Sequence, residues 1–219
     1  MKAAERIPDL LKGLKKTFPE ADCTLDHRNP LDLLVATILS AQCTDVRVNA
    51  LTPELFRKYR SAADYVRVPA AELEQDIRPT GFFRNKARSI QACCQALVER
   101  HDSQVPGRME DLVRLKGIGR KTANVVLAAT FGQPAIIVDT HVKRLSRRLG
   151  LTRQNDPDRI EQDLMKIVPR AEWTRFSHSL ILHGRNVCKA QRPACGDCAF
   201  ESFCPFPRTA EGKQARKPS

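Results

Sequence analysis

Aromatic side chains are scarce in this chain. Phe, Tyr and Trp make up 5% of its 219 residues. A single-strand nucleic-acid binder that stacks many bases would need more ring faces. Long apolar runs are missing too, and none approaches the roughly 18 residues of a membrane span. The N-terminal stretch MKAAERIPDLLKG carries charges throughout, with no apolar h-region, so no secretory signal is expected. Period-two alternation is almost absent; AIIV at 135–138 is the one candidate strand. There are no repeats and no low-complexity blocks. These absences argue against a membrane protein and a β-rich fold, and they predict a cytoplasmic protein. In that compartment thiols stay reduced, so the eight cysteines are not expected to form disulfides. Acidic charge is in deficit as well. Lys and Arg number 37 against 25 Asp and Glu, a net +12. Such an excess points to a polyanion, most simply nucleic acid. With so few aromatics, the expected contact is with a duplex backbone.

What is present is helical periodicity. Ile7, Leu10, Leu11 and Leu14 share one helical face. Asn29-Pro30 reads as the N-cap and first residue of a helix running to about Gln42. Its run LLVATIL is apolar all round and predicts a central helix. Further helices are expected at 45–59, 61–66, 69–77, 84–100, 108–115, 120–131, 140–149, 157–167 and 171–183. The tail 209–219 is polar and basic, and is expected to be disordered.

Two helical patterns, at 108–115 and 120–131, are joined by Gly117-Ile118-Gly119. The glycines permit a tight reversal, and Ile118 between them would plug into the core. The second helix then begins with free N–H groups beside a bare glycine loop, a ready phosphate site. This is a helix-hairpin-helix pattern spanning 108–131, and it predicts sequence-independent binding to the DNA backbone. Lys116, Gly117, Gly119 and Arg120 would form that contact. Lys121, in the first turn, would either neutralise phosphate or act as a nucleophile. The helix dipole disfavours an ammonium there by only about 0.3–1 kcal/mol, up to about 2. Desolvation under bound DNA would have to supply the rest of any activation. Asp139, in VDTHVKRLSRRLG, reads as the N-cap of a helix ended by Gly150. A carboxylate at a helix start could also face a cleft. Lys143, Arg144, Arg147 and Arg148 form a basic stripe on that helix, either a solvated face or a DNA-proximal one.

Cys188, Cys195, Cys198 and Cys204 follow a C-x6-C-x2-C-x5-C pattern. Four thiols so close together can wrap one metal centre. The spacing suits structural zinc and an iron–sulfur cluster about equally. The loop between Cys188 and Cys195 carries Lys189 and Arg192, which would face DNA phosphate.

Taken together, SAQCTDVRVN (40–49), TGFFRNKA (80–87), LKGIGRKTANVV (115–126), VDTHVKR (138–144), HGRNVC (183–188) and the cysteine run closely resemble the endonuclease III family of DNA base-excision glycosylases. The resemblance implies an all-α, two-domain helix-hairpin-helix glycosylase fold with a C-terminal iron–sulfur cluster loop. It implies a helical barrel domain at 22–133 and a cluster domain built from 1–21 and 134–219. The four cysteines would hold a 4Fe-4S cluster. Lys121 and Asp139 would be the catalytic pair of a bifunctional N-glycosylase and AP lyase acting on oxidised pyrimidines in duplex DNA. Gln42 would enter the space left by a flipped nucleotide. Phe82 would be an aromatic wedge, with Arg84, Lys86 and Arg88 as a basic rim. His141 would line the cleft. The partner would be double-stranded DNA with damaged bases or abasic sites, and the protein a nucleoid-associated monomer.

Three positions depart from the family pattern. Lys116 replaces a common proline, Cys43 a common alanine, and Phe82 a common leucine. The alternatives are a mismatch-specific adenine or thymine glycosylase, which Lys121 disfavours, and a non-catalytic iron–sulfur DNA-binding protein. Only Lys121 with Asp139 separates that last reading from an enzyme.

Overall fold

A helix that is apolar on every side must be surrounded. In the computed structural model, which describes residues 2–215, the run LLVATIL lies in α2 (Pro30–Leu39), and every residue from Asp32 to Leu39 is buried. The helix starts as its sequence dictates. Asn29 Oδ1 accepts the Asp32 N–H at 2.9 Å, and Pro30 occupies the first turn. The buried Asp32 carboxylate is met by Arg28 Nε at 2.8 Å. The end comes earlier than the expected Gln42. Thr37 Oγ1 donates to Leu34 O at 2.7 Å and Ser40 Oγ to Thr37 O at 3.0 Å. The Ser40 hydroxyl binds a carbonyl of the last turn, and the chain turns away.

Around α2 pack α3 (Asp45–Lys58), α6 (Phe83–Arg100) and α8 (Arg120–Phe131). The short α4 (Ala62–Arg67) and α5 (Ala70–Asp76) lie against α6, and the one-turn α7 (Met109–Leu112) lies against α8. The first arm of the hairpin is therefore shorter than the predicted 108–115. From Val113 the chain coils so that Leu112, Leu115 and Ile118 are all buried. The coil advances by three-residue turns, with Leu115 N donating to Leu112 O at 3.0 Å and Ile118 N to Leu115 O at 3.1 Å. These elements form one compact unit, Cys23–Gln133.

A second unit joins the residues up to Asp22 with those from Pro134 onward. Its core is formed by α1 (Ala3–Thr17), α9 (Thr140–Arg148), α10 (Pro157–Ile167) and α11 (Trp173–Asn186), with Leu10, Leu14, Val142, Leu145, Leu164 and Phe176 at its centre. No strand occurs among the described residues. The candidate strand at 135–138 is instead a buried irregular segment. Two of its amides are satisfied by side chains: Ile137 N donates to Ser177 Oγ at 2.9 Å and Ala135 N to Thr174 Oγ1 at 3.2 Å. The tail departs from expectation too. Thr209 Oγ1 accepts from Gly212 N at 3.0 Å and helps start α12 (Ala210–Ala215). The rest of the tail lies outside the described residues. No helix among the described residues is long and apolar enough to cross a membrane.

Leu34→Ala, at the centre of the first unit, should cost about 2–5 kcal/mol in urea unfolding. Arg57→Ala, which breaks the exposed pair with Glu54, should cost less than about 1 kcal/mol.

Candidate nucleic-acid interface and cysteine site

The hairpin geometry follows from its glycines. Gly117 has φ +81°, in the left-handed region, and a Cβ there would press on Ser89 Cβ at 3.2 Å. Gly119 is the N-cap of α8 and offers no side-chain cap. A Cβ at Gly119 would meet nothing within 4 Å, so the approach to this helix start is open. The first-turn N–H groups of α8 thus face an accessible surface, the arrangement that suits a phosphate oxygen. Lys116, Gly117, Gly119, Arg120 and Lys121 are all exposed. Lys121 is separated by one residue from the glycine loop.

Beside the hairpin lies an open cleft of about 290 Å³. Gln42, Phe82, Asn85, Lys86, Gly117 and Thr122 line it. The structure therefore gathers Gln42, Phe82 and the hairpin loop around one space. Gln42 has φ +53° and Phe82 φ +48°. A left-handed conformation costs an ordinary L-residue roughly 1–2 kcal/mol. Phe82 is 63% exposed, so an aromatic ring is held out in water by strained backbone. Arg84 is exposed and sits over the Phe83 ring at 5.8 Å. Phe83 itself is only half-buried.

Lys86 is not part of the basic rim assigned from sequence. It is 5% exposed, and its Nζ donates to Leu39 O and to Thr80 O, both at 2.8 Å. Burial lowers its pKa, and the nearby Cys43 acts weakly in the opposite sense. In sequence NKA has the pattern of a solvated helix start; the fold instead turns this lysine onto two carbonyls.

In the second unit, Asp139 caps α9. Its Oδ1 accepts from Val142 N at 2.7 Å, which fixes the half-buried carboxylate and leaves Oδ2 without a cap role. His141 is half-buried, with Nδ1 3.2 Å from Arg144 Nη2. Gly184 lets α11 approach this corner. A Cβ at Gly184 would lie 2.8 Å from His141 Nδ1 and 3.1 Å from Arg144 Nη2.

The basic stripe on α9 divides. Arg147 is exposed and Lys143 half-buried, but Arg144 and Arg148 turn inward. Arg144 Nη2 donates to Gly184 O and Cys188 O, each at 2.9 Å. That nitrogen is thereby committed to the protein's own carbonyls. The end of α11 exposes carbonyls that need donors, and Arg144 supplies them. Arg148 is more deeply committed. It donates to Lys189 O at 2.7 Å and Ala190 O at 2.9 Å, and it lies 4.1 Å over the Phe206 ring. Its Nη1 also lies 3.5 Å from Cys188 Sγ. One signal was legible: Arg148 falls three residues after the buried Leu145, on the core face of α9.

Cys188, Cys195, Cys198 and Cys204 line a single small cavity with Arg148 and His183. Burial pushes the Cys198 thiol up to about 11 and also raises Cys204. Buried thiols become thiolates readily only beside a positive charge. Four soft sulfur donors in an enclosed cavity fit a thiolate-ligated metal centre. Among the described residues, no three His, Cys, Asp or Glu side chains converge on the position of a single ion. Lys189 and Arg192 are exposed on the intervening loop.

Residues 35–170 match the family of HhH-GPD superfamily base excision DNA repair proteins. Endonuclease III of Synechocystis sp. is 54% identical over 202 residues, covering 92% of each chain. Endonuclease III of Bacillus subtilis is 50% identical over 201 residues, covering 91% of this chain and 92% of the relative. A trapped endonuclease III–DNA covalent intermediate superposes with a TM-score of 0.91 at 48% identity, covering 99% of this chain and 100% of that one. A thermostable thymine-DNA glycosylase shares the fold, with a TM-score of 0.83 at 20% identity and 97% of both chains covered. The chain belongs to the endonuclease III family of base-excision DNA glycosylases with AP lyase activity.

Arg148→Met keeps the stem but removes the donors to Lys189 O and Ala190 O. Stability in urea should fall by about 3 kcal/mol, and limited proteolysis should cut first within 188–195.

Proposed function

We propose that this protein removes oxidised pyrimidines from duplex DNA and cleaves the resulting abasic strand, with Lys121 as nucleophile and Asp139 as its acidic partner. The observation that carries this reading is the exposed Lys121 in the first turn of α8, one residue beyond an uncapped glycine loop. The loop and the helix start bind the backbone flanking the lesion, which brings phosphate to the amine. Lys121 Nζ attacks C1′ of the flipped nucleotide, the bond from C1′ to the base breaks, and the base leaves with a proton. Loss of a proton from nitrogen and opening of the sugar give a Schiff base. Removal of a C2′ proton then expels the 3′ phosphate by β-elimination. Asp139 stabilises the positive charge that develops on the sugar and assists deprotonation. Its cap bond to Val142 N holds that carboxylate still. Gln42 and Phe82 fill the gap that flipping leaves. Lys116, Gly117, Gly119, Arg120, Arg84, Lys189 and Arg192 contact phosphate, and His141 lines the lesion pocket.

Cys188, Cys195, Cys198 and Cys204 hold a 4Fe-4S cluster on this reading. Four thiols on a C-x6-C-x2-C-x5-C spacing, lining one cavity, support this reading. The cluster's contribution is to fold the loop that presents Lys189 and Arg192. The protein acts as a monomer on damaged DNA at the nucleoid.

Lys121→Ala should abolish strand cleavage of duplex DNA carrying thymine glycol while still binding it; normal cleavage would refute the nucleophile. Asp139→Asn keeps a cap acceptor and should lower turnover by about a hundredfold or more at unchanged stability. Iron analysis of protein purified without air should give about four iron atoms per chain and a brown colour. A colourless, zinc-loaded protein would overturn the cluster.

A further inference from the structure

Lys86 is a buried amine with no evident part in the chemistry. Its two acceptors are informative. Leu39 O closes α2 three residues before Gln42, and Thr80 O lies two residues before Phe82. Both of these residues have left-handed backbones. Both line the same cleft as Lys86. Strained conformations persist only where the surroundings over-determine them. Neither residue has a glycine's freedom, and Phe82 has no apolar pocket, since it is largely exposed. Phe82 O is held from the chain after it, by Asn85 N and Lys86 N, each at 3.1 Å. On the chain just before each residue, Lys86 is the side chain that grips both stretches.

We infer that Lys86 is a positioning residue that locks the Gln42 and Phe82 loops into one rigid two-pronged probe, so that both enter the duplex together when a nucleotide is flipped. This rests on the reading of Gln42 and Phe82 as DNA probes. The amine touches neither substrate nor reacting atoms; it acts by fixing two carbonyls in a common frame. A probe assembled before binding avoids the ordering cost at the moment of flipping. Its loss should slow extrusion of the base and leave the lyase chemistry alone.

The test is a mutant cycle read by two assays. Excision of thymine glycol from duplex DNA requires flipping. Borohydride trapping on a single-stranded abasic oligonucleotide does not. Lys86→Met should lower duplex excision by about tenfold or more while leaving single-strand trapping within about twofold of wild type. In a Gln42→Ala/Phe82→Ala background the same substitution should have less than about a twofold further effect, because residues acting as a unit are not additive. Should Lys86→Met fail to fold, Lys86→Gln enters the same cycle. It keeps N–H donors without charge and should retain excision within about threefold of wild type. If Lys86→Met and the probe variants multiply independently, or if trapping falls with excision, Lys86 is merely structural and the inference is overturned. If Gln42→Ala/Phe82→Ala excises normally, the probe reading itself fails and takes the inference with it. If the probe variants lose excision but Lys86→Met keeps it, the probes stand and the inference alone falls.

Discussion

Loop carbonyls at the edge of a core must find donors, because an unpaired one costs about 1–3 kcal/mol. In this protein the donors are inward-turned cations. Lys86 satisfies Leu39 O and Thr80 O in the first unit. In the second, Arg144 and Arg148 satisfy the carbonyls of Gly184, Cys188, Lys189 and Ala190. Every loop assigned to DNA outside the hairpin is fixed by one of these contacts. Desolvating a cation is expensive, so such a residue is retained only where several acceptors converge on it. The cost sets a constraint on sequence: these three positions require long side chains with several N–H donors, although they sit among apolar neighbours.

The hairpin solves the same problem in the opposite way. Its helix start is left without a side-chain cap. The donors there are the protein's own N–H groups, and the missing acceptor is one that phosphate can supply. Carbonyls are closed off internally, while amides are left open to an anion. This asymmetry, with an excess of basic residues on the exposed hairpin, makes the surface selective for a polyanionic backbone without reading its sequence.

Much of this was legible in the sequence. The bounds of α8 and α10 follow from Gly119, Gly132 and Asp156-Pro157, whose preferences are local. The four cysteines and the Asp139 cap were equally plain, for the same reason. The roles of Lys86, Arg144 and Arg148 were not. Lys86 lies 47 residues from Leu39, and Arg148 lies 41 from Lys189. Local pattern scores a lysine or arginine as exposed, and only the tertiary fold shows which carbonyls wait beside it. The early end of α2 was hidden because Thr37 and Ser40 tip the balance through hydroxyl bonds too weak to dominate a periodicity signal. The helix at Ala210–Ala215 was hidden by its polar composition.

The central claim is that one amine, that of Lys121, carries the chemistry. The direct measurement is peptide mapping by mass spectrometry after borohydride reduction of the complex with duplex DNA containing thymine glycol. The expected result is a single sugar-derived adduct on Lys121. An adduct on another lysine, or none on any lysine while excision proceeds, would contradict it.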